Sequence, residues 1–385
     1  MKKFIKNFSI FILLIAIFHN NCYAHVSELI NEKEVCCETQ TDRSEPQWYY
    51  VKDVLQALNS LSGGRCVMDN QCLTTGSNKF VITKSSNIPG KSVIELPGLV
   101  WGDREMKVKK IAVMMTLTES AIELAAATGV NVIITHHPVA DGASSGGVLL
   151  KDYLNNYNIA VFELHEAFHG LHPGISFLHG HKPFFSDVNY GGIKGNVVHV
   201  GNVLSDIKTI GDMINRLNLF MNIEKDVTVL TSERTIRNCN DISEAGIAAK
   251  CKILLGKYEN PINKIIHIFP HTGFNAHHLE ELVSKNPDVD TLLASISHVY
   301  PDHELVAKAN ELGLNFICGN SHALEIFENG IPLAYGILQY LPQAQIVIFR
   351  DWVTSTPLNN FGDDMIQNYG KDIAKKYLNH ISDSI

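Results

Sequence analysis

The apolar positions of residues 48–61 recur at the spacing of a helix. In the stretch WYYVKDVLQALNSL, the apolar residues that share one helical face are Val51, Val54, Leu55, Leu58 and Leu61. Residues three, four and seven positions apart line one side of a helix, so this stretch predicts an amphipathic helix with one buried face. Residues 62–78 are rich in Gly, Asn, Asp and Thr, a composition that is typical of a loop.

Strand and helix patterns then alternate along the first half of the chain. They predict a strand at residues 109–115, a helix capped by Thr118 or Ser120 and ended by Gly129, a strand at 131–135, a helix at 148–156 and a strand at 159–164. Consecutive strands that run in the same direction need a crossover between them, and a helix commonly supplies it. This half of the chain therefore predicts an α/β unit with a parallel sheet.

The second half of the chain repeats this plan. It predicts strands at residues 264–269, 291–296, 314–318 and 345–349, helices at 277–283 and 303–312, and a further helix that starts at Ser321. We therefore expect the α/β fold class, with two related α/β lobes whose mixed, largely parallel sheets face a shared cleft. The expected boundaries are 47–195 for the first lobe, 196–357 for the second lobe and 358–385 for a helical tail.

The first 24 residues have the pattern of an export signal. Lys2, Lys3 and Lys6 precede an apolar run at Ile10–Phe18, and Cys22-Tyr23-Ala24 offers small residues for cleavage. The apolar run is too short to span a bilayer. We expect a removed signal peptide at 1–24, a polar linker at 25–46, and a mature protein that is periplasmic or secreted.

Charge and cysteine content narrow the range of partners. The chain has a formal net charge of −8, and an acidic surface repels phosphate backbones, so no nucleic-acid partner is expected. No later apolar run is long enough to span a bilayer, so no membrane partner is expected after signal cleavage. Because exported proteins meet an oxidising compartment, we expect Cys66 and Cys72, which lie among turn residues, to form a bridge.

Histidines cluster at the predicted ends of strands. The stretch VIITHHPV places His136 and His137 directly after a strand, and His165 and His169 follow the next one. Ligands of open α/β sheets bind beyond the carboxyl ends of the strands. A bend at Pro138 would allow both adjacent histidines to reach one site.

The second half supplies a carboxylate to the same predicted cleft. On a helix that starts at Ser321, His322 and Glu325 share a face at i, i+3. The predicted metal ligands are therefore His136, His137, His169, His322 and Glu325. Imidazoles with a carboxylate suit zinc, iron, manganese or nickel, in one or two ions per chain. The candidate catalytic residues are Glu325, His165 and His303, because a bound metal ion lowers the pKa of water and a nearby base can move its proton.

A competing motif lies in the same region. His165-Glu166-Ala167-Phe168-His169 fits H-E-x-x-H, in which a helix presents two histidines to zinc and the glutamate acts as the base of a metalloprotease. The preceding residues, IAVFEL, favour a strand, and Gly170 with Pro173 leave little room for a helix. The zinc protease therefore ranks third among the functional hypotheses.

Three stretches together resemble a known family. They are VNVIITHHPV, IAVFELHEAFHGLHPGIS and LNFICGNSHALE, and NVVHVGNV at 196–203 resembles the family's inter-lobe strand. The chain resembles the NIF-three-like family of dinuclear metal-centre proteins, whose bacterial members include homologues of GTP cyclohydrolase 1 type 2. The resemblance covers residues from about 48 to 357.

This resemblance implies a fold, an assembly and an activity. It implies two α/β lobes, a toroidal homohexamer built as a trimer of dimers, and a pair of metal ions facing the inner cavity. It also implies a metal-dependent hydrolase acting on a small nucleotide-like or phosphoester substrate. The alternative is a non-catalytic module that binds a transition metal.

The resemblance carries over to the site residues only in part. His136 and His137 match the two family histidines, His165 matches the histidine near the site, and Glu325 matches the family glutamate. The family aspartate falls on His169, and the second-lobe ligand histidine falls on Ser321, with His322 one place later. Thr116 also stands where an aspartate is common. Fewer carboxylates offset less cation charge, so a single ion becomes an alternative to the pair.

Overall fold

The structure is a computed structural model that describes residues 48–68, 78, 80–85, 92–139, 150–165, 167–168, 171, 174–193, 195–269, 273–296 and 299–378. The predicted signal segment 1–24, the predicted linker 25–46, Cys72, Glu166 and His169 lie outside these residues.

The strands and helices follow the alternation that the sequence predicts. The strands in chain order are β1 Ile82–Ser85, β2 Ser92–Glu95, β3 Gly98–Trp101, β4 Ile111–Met114, β5 Val132–Thr135, β6 Ala160–Glu163, β7 His181–Asp187, β8 Val198–Val203, β9 Ser243–Glu244, β10 Lys252–Leu255, β11 Lys264–Ile268, β12 Thr291–Ile296, β13 Asn315–Asn320, β14 Ile346–Ile348 and β15 Thr354–Ser355. The α-helices are Val51–Leu61, Glu119–Thr128, Leu150–Tyr157, Gly174–Leu178, Ile210–Phe220, Ile223–Ile236, Ala245–Ala248, Ala276–Lys285, Glu304–Glu311, Ile331–Tyr340 and Asp364–Ile373. Tighter or wider helical turns cover Tyr190–Gly192, His322–Leu324, Ile326–Gly330, Leu358–Asn360 and Ala374–Leu378.

The first sheet has the strand order β14-β4-β5-β6-β3. Its first four strands are parallel, and β3 pairs antiparallel with β6. Every residue of β4, β5 and β6 is buried, because helices cover both faces of the sheet. Helices Val51–Leu61 and Ile331–Tyr340 pack on one face, and Glu119–Thr128 packs on the other. Fully burying one Ile or Phe of this layer stabilises the fold by about 1.5–3 kcal/mol, so the strand ends have a rigid support.

The second sheet has the strand order β10-β13-β12-β11-β8-β7. The strands β11, β12 and β13 are parallel, whereas β10, β8 and β7 pair antiparallel with their neighbours. Helices Ala276–Lys285 and Glu304–Glu311 pack on one face, and Ile210–Phe220 packs on the other. The predicted α/β class with mixed sheets is therefore confirmed, although parallel pairing predominates only in the first sheet.

The two sheets do not divide the chain at the boundary predicted between residues 195 and 196. The strand β7 precedes that boundary but pairs with β8 in the second sheet, and β14 follows it but pairs with β4 in the first sheet. The helix Ile331–Tyr340 carries the chain back, since its Leu333 and Ile337 are buried in the core of the first sheet. The returning strand covers the edge of β4, which would otherwise expose unpaired backbone groups.

Local sequence signals set the helix that precedes the site. Thr118 caps the helix Glu119–Thr128, because its Oγ1 accepts a hydrogen bond from Ala121 N at 3.2 Å. Gly129 ends the helix in the left-handed region, at φ 75°. Of the two predicted caps, the structure uses Thr118 rather than Ser120. The next strand, β5, starts three residues after Gly129 and leads directly to His136.

Two further observations concern the cysteines and the lengths of the helices. Cys66 carries a free, buried thiol, so the bridge predicted between Cys66 and Cys72 is not formed. Among the described residues, no helix combines the length and apolar character that crossing a membrane requires.

Candidate metal centre

The centre joins residues that are far apart in sequence. Nε2 of His137, which follows β5, lies 2.9 Å from Oε2 of Glu325, which lies in the turn after β13. The two residues are separated by 188 positions. Their strands end at the same cleft because each belongs to the parallel part of its own sheet. The structure therefore brings together the histidine pair and the carboxylate that the sequence assigns to one site.

His322 completes a group of three possible ligands. Its Nε2 lies 3.8 Å from Oε2 of Glu325, as the i, i+3 spacing predicts, and its ring centroid lies 5.2 Å from that of His137. One ligand atom from each of His137, His322 and Glu325 falls within 4.8 Å of the others. Glu325 is buried and His137 nearly so, whereas the side chain of His322 is 47% exposed. The centre is therefore open to solvent on the His322 side.

Backbone contacts hold the histidine pair in place after β5. The amide of His136 donates to Met114 O at 3.0 Å, and that of His137 donates to Met115 O at 2.8 Å, so the chain stays paired with the end of β4. The turn that follows is fixed by Glu163, whose Oε2 accepts a hydrogen bond from Val139 N at 2.8 Å. This pairing and the anchored turn direct both rings toward Glu325.

Thr116 holds the far side of the His137 ring. Its Oγ1 lies 2.6 Å from Nδ1 of His137. A hydroxyl can either donate or accept. It therefore donates to Nδ1 when Nε2–H donates to Glu325, and accepts from Nδ1–H when Nε2 offers its lone pair to a cation. Thr116 can therefore hydrogen-bond with the His137 ring whether or not an ion is bound.

His136 lies behind His137 with a fixed tautomer. Its Nδ1 lies 3.0 Å from Leu164 O, and a carbonyl only accepts, so Nδ1 carries the proton. Its Nε2 lies 3.5 Å from Oε1 of Glu325, and in the neutral ring Nε2 is the nitrogen that can bind a cation. Metal-binding histidines usually donate their other nitrogen to such an acceptor. His136 is therefore oriented as a ligand, although it lies outside the group of three.

The carboxylate of Glu325 is ionised at neutral pH. Burial alone would raise the pKa of Glu325, but the neighbouring His137 and His136 outweigh it and hold the pKa well below its usual value. Asn329 Nδ2 donates to Oε1 at 3.3 Å and fixes the carboxylate plane. A buried, charged and oriented carboxylate is a suitable ligand for a divalent cation.

His165 lies beside the pair and is backed by a glutamate that the sequence analysis missed. Nδ1 of His165 lies 2.9 Å from Oε1 of Glu95, which is buried at the end of β2. The ring centroid of His165 is 5.0 Å from that of His136 and 5.7 Å from that of His137. Nothing in the spacing of Glu95 along the chain relates it to His165, because the two meet only through the fold.

Other candidate residues have different positions. The contacts of His303 lie at the start of its own helix, where Nδ1 accepts from Leu305 N at 3.2 Å and the ring packs on Tyr300. The structure therefore gives His303 a capping role rather than a place beside Glu325. Ser321 is buried next to His322, and its Oγ has no hydrogen-bond partner among the described residues. His169 lies outside those residues, so its role as a ligand stays a prediction.

The described residues of the H-E-x-x-H motif are not helical. Its described residues His165, Ala167 and Phe168 lie in turns after β6, and Phe168 N donates to His165 O at 2.8 Å. A metalloprotease needs both histidines on one helical face. The motif's Glu166 and His169 lie outside the described residues.

The donor set fits a divalent transition ion. Two imidazoles and a carboxylate are ligands that zinc, iron, manganese and nickel accept. The rings of His137 and His136 are each anchored through Nδ1, so both can turn Nε2 toward the cleft. The coordinating atoms are thus preorganised, with the exposed His322 as the adjustable member.

The chain is similar in sequence to one family. Residues 81–165 match the model of Duf34/NIF3 (NGG1p interacting factor 3). This span contains β3 to β6 with His136, His137 and His165. No curated protein matches the chain.

The chain also matches several solved structures at low identity. Reduced HcgD from Methanocaldococcus jannaschii is 15% identical, with a TM-score of 0.49 over 79% of this chain and 99% of that one. A Bacillus cereus protein related to NIF3 is 12% identical, with a TM-score of 0.48 over 81% and 99%. The Staphylococcus aureus hypothetical protein SA1388 is 13% identical, with a TM-score of 0.46 over 78% and 96%. The match of residues 81–165 to the Duf34/NIF3 family model confirms the resemblance that the sequence indicates.

Proposed function

We propose that the chain is a metal-dependent hydrolase whose centre is formed by His137, His322 and Glu325. The observation that carries this proposal is the convergence of their ligand atoms within 4.8 Å from two separate sheets. A divalent ion held there would supply Lewis-acid activation of water. The number of ions per chain is one if these three residues act alone, and two if His136 and His169 hold a second ion.

The residues around the centre suit proton transfer. His165 lies within ring contact of His136, and Glu95 holds its Nδ1. A neutral imidazole held in this way keeps Nε2 as the atom that accepts a proton from water. This arrangement assigns His165 the role of base, with Glu95 as its positioning residue. Glu325 then acts only as a ligand of the metal ion.

The surroundings of the centre favour a small, anionic substrate. Access is from the side of His322, which is the most exposed residue of the three. The imidazoles are neutral when they bind an ion, so a divalent cation with one carboxylate leaves a net positive charge in the site. Such a site attracts phosphate groups, and we propose a nucleotide-like or phosphoester substrate.

Elemental analysis tests the binding part of this proposal. We expect His137→Ala and Glu325→Gln to lose the transition metal that the wild-type protein retains after dialysis. The exposed His277 offers a control, since His277→Ala removes an imidazole outside the centre. Equal metal content in wild-type protein and both centre variants would refute the site.

A second candidate function is a metal-binding module without catalysis. It is favoured by the partial exposure of His322, which suits exchange of an ion with solvent. Turnover of nucleotides and simple phosphoesters by zinc- or manganese-loaded protein distinguishes the two functions. Hydrolysis lost in His165→Ala with metal retained supports the enzyme, whereas tight binding without turnover supports the module.

Export and assembly are separate proposals. We propose cleavage after Ala24 from the N-terminal sequence pattern, and a homohexamer from the family resemblance described above. The N-terminal sequence of protein recovered from the periplasm or medium tests the first, and light scattering of the mature chain tests the second. An uncleaved intracellular chain or a monomer would contradict them.

A further inference from the structure

A second group of histidines lies inside the second sheet. We call His179, His181, His199 and His267, with Glu328, the inner histidine cluster. All five side chains are buried. His181, His199 and His267 belong to the neighbouring strands β7, β8 and β11, and His179 follows the helix Gly174–Leu178. The cluster contains none of the three ligands of the first centre, although Glu328 lies three residues after Glu325.

The imidazoles make a continuous group. Ring centroids lie 4.9 Å apart for His179 and His267, 5.2 Å for His181 and His267, and 6.0 Å for His199 and His267. His267 therefore lies at the middle of the cluster. Its ring also stacks on Phe269, at 5.5 Å with an interplanar angle of 12°. The Phe269 ring therefore covers one face of the His267 ring, and the other three histidines lie around the rest of it.

Two of these rings are anchored by one nitrogen each. Nδ1 of His179 donates to Ile175 O at 2.8 Å, since a carbonyl only accepts. Nδ1 of His267 lies 3.0 Å from Nε2 of His181. When His267 donates in this pair, the Nε2 atoms of both His179 and His267 are lone pairs. Neither Nε2 has a hydrogen-bond partner within the described part of the chain.

Glu328 presents a third atom of the same kind. Asn320 Nδ2 donates to Oε1 of Glu328 at 2.8 Å. Oε2 is buried and has no hydrogen-bond partner among the residues that the structure describes. Oε1 lies 3.9 Å from Nε2 of His179. Two ligand atoms of one ion lie about 3–4 Å apart, since each bond is about 2.0–2.2 Å long.

Glycines leave the space that the imidazoles occupy. A Cβ added at Gly319 would lie 2.9 Å from Nε2 of His179, and one added at Gly201 would lie 2.8 Å from Nδ1 of His181. Any other residue at these positions would therefore collide with a ring. Glycine at these two positions therefore allows the rings of His179 and His181 to pack against the backbone.

Unpaired polar atoms at this depth need a partner. A buried polar atom without a hydrogen bond costs about 1–3 kcal/mol, and here three such atoms lie in one region. Burial lowers the pKa of His179 to about 4 and lowers the pKa of His267 well below its usual value. Both rings are therefore neutral at neutral pH, which is the form that binds metals. Each ligand is also fixed through its other polar atom, the arrangement that metal sites usually show.

We propose that the inner histidine cluster is a second, fully buried transition-metal site, with ligands from Nε2 of His179, Nε2 of His267 and Oε2 of Glu328. Two imidazoles and a carboxylate suit zinc, cobalt or nickel. Of the described residues, His137, His322 and Glu325 have their ligand atoms within 4.8 Å of one another, and the inner ligands do not. Binding of an ion by the inner cluster therefore requires its side chains to shift toward one another.

Zinc stoichiometry of the full chain tests this site separately from the first. We combine His137→Ala with Glu325→Gln, which removes the first centre, and supply zinc during expression. The expected content after dialysis is one zinc per chain, which falls to none when His179→Ala and Glu328→Gln are added. Release to a chelator should be slower for this zinc than for zinc at the exposed His322, because the inner ligands are buried.

Cobalt gives a readout that does not depend on stoichiometry alone. The first-centre double variant loaded with cobalt should show the visible absorption of a low-coordinate ion bound by nitrogen and oxygen, and His267→Gln should abolish it. Glu328→Gln serves as the mildest variant, since the amide oxygen can still accept from Asn320. Circular dichroism of each variant confirms that it is folded.

Two results would overturn the proposal. One is a first-centre double variant that is folded and holds no zinc, which would leave water as the partner of the inner atoms. The other is zinc that remains after the inner ligands are replaced. A wild-type chain with the same zinc content as the first-centre variant would instead refute the proposed function and leave the inner site standing.

Discussion

Oγ1 of Thr116 and Nδ1 of His137 lie 2.6 Å apart, on the side of the ring that faces away from Glu325. The contact sets the orientation of a ring that meets the second lobe through its other nitrogen. A threonine hydroxyl can donate or accept a hydrogen bond, whereas an ionised aspartate only accepts. Thr116 is therefore a neutral partner that can contact Nδ1 of His137 in either tautomer of the ring.

Replacing Thr116 should weaken metal binding. Thr116→Val keeps the shape of the side chain but removes the hydroxyl, so Nδ1 of His137 loses its partner. Loss of such an outer partner typically lowers metal affinity by about 10–100-fold. Competition with a chromophoric chelator measures the affinity. Thr128→Val is the matched control, because Oγ1 of Thr128 bonds only within its own helix, and equal affinities for the two variants would refute the role of Thr116.

Metal binding should raise the thermal stability of the wild-type protein. An ion that binds only the folded state at 100 times its Kd stabilises it by about 2.7 kcal/mol. Glu325→Gln removes the negative charge of the centre, to which both lobes contribute ligands. The Tm of this variant should therefore not respond to zinc at that concentration. Differential scanning calorimetry with and without zinc measures both. Zinc at the inner histidine cluster is removed from this comparison by adding Glu328→Gln to both proteins.

Glu328 should make the metal-free protein less stable as the pH rises. Burial raises the pKa of Glu328 from 4.5 to about 8, so the native state holds a proton that the unfolded state has released. The stabilising contribution of this group is complete below pH 4.5 and is lost as the pH rises toward 8. Glu328→Gln cannot ionise, so it should be more stable than the wild type by up to about 4 kcal/mol at pH 8, and equal to it near pH 4.5. Urea unfolding in the presence of a chelator measures the difference, and a gain that is independent of pH would contradict it.

Glu163 should be important for the turn that follows His137. It is buried, and its two oxygens accept from Leu96 N and Val139 N. Glu163→Gln turns one acceptor into a donor that faces an N–H group, which costs about 1–3 kcal/mol of unfolding free energy. Glu105→Gln is the control, since Glu105 forms an exposed ion pair with Lys52, and exposed ion pairs contribute little to stability. Equal losses for the two variants would count against the anchoring role.

The sequence predicts the strands of both sheets well because their apolar runs are short, buried and bounded by turn residues. β12 has the bounds that the pattern predicts, and β5 starts one residue later than predicted. The pairing of β14 with β4 could not be read in the same way, because an edge strand of three half-exposed or exposed residues carries no signal for its partner.

The residues of the site also differ in whether the sequence predicts their contacts. His137, His322 and Glu325 stand next to strand ends, and strand ends of parallel sheets meet, so their convergence follows from the order of elements. Glu95 and the inner histidine cluster do not follow from it. Glu95 reaches His165 from a separate antiparallel pair, β1 with β2, and His181 reaches His267 across the intervening strand β8. Such contacts depend on register and on rotamers, which local pattern does not specify.

The return of the chain from the second sheet to the first has a consequence for how the molecule matures. His137 and Glu325 become neighbours only when both layers have formed and the segment that carries β14 has docked on β4. The ion cannot assist the early collapse of either layer, since neither alone offers the full set of donors. Occupancy of this centre therefore reports completed folding, and a chain arrested with one layer assembled would remain without its metal.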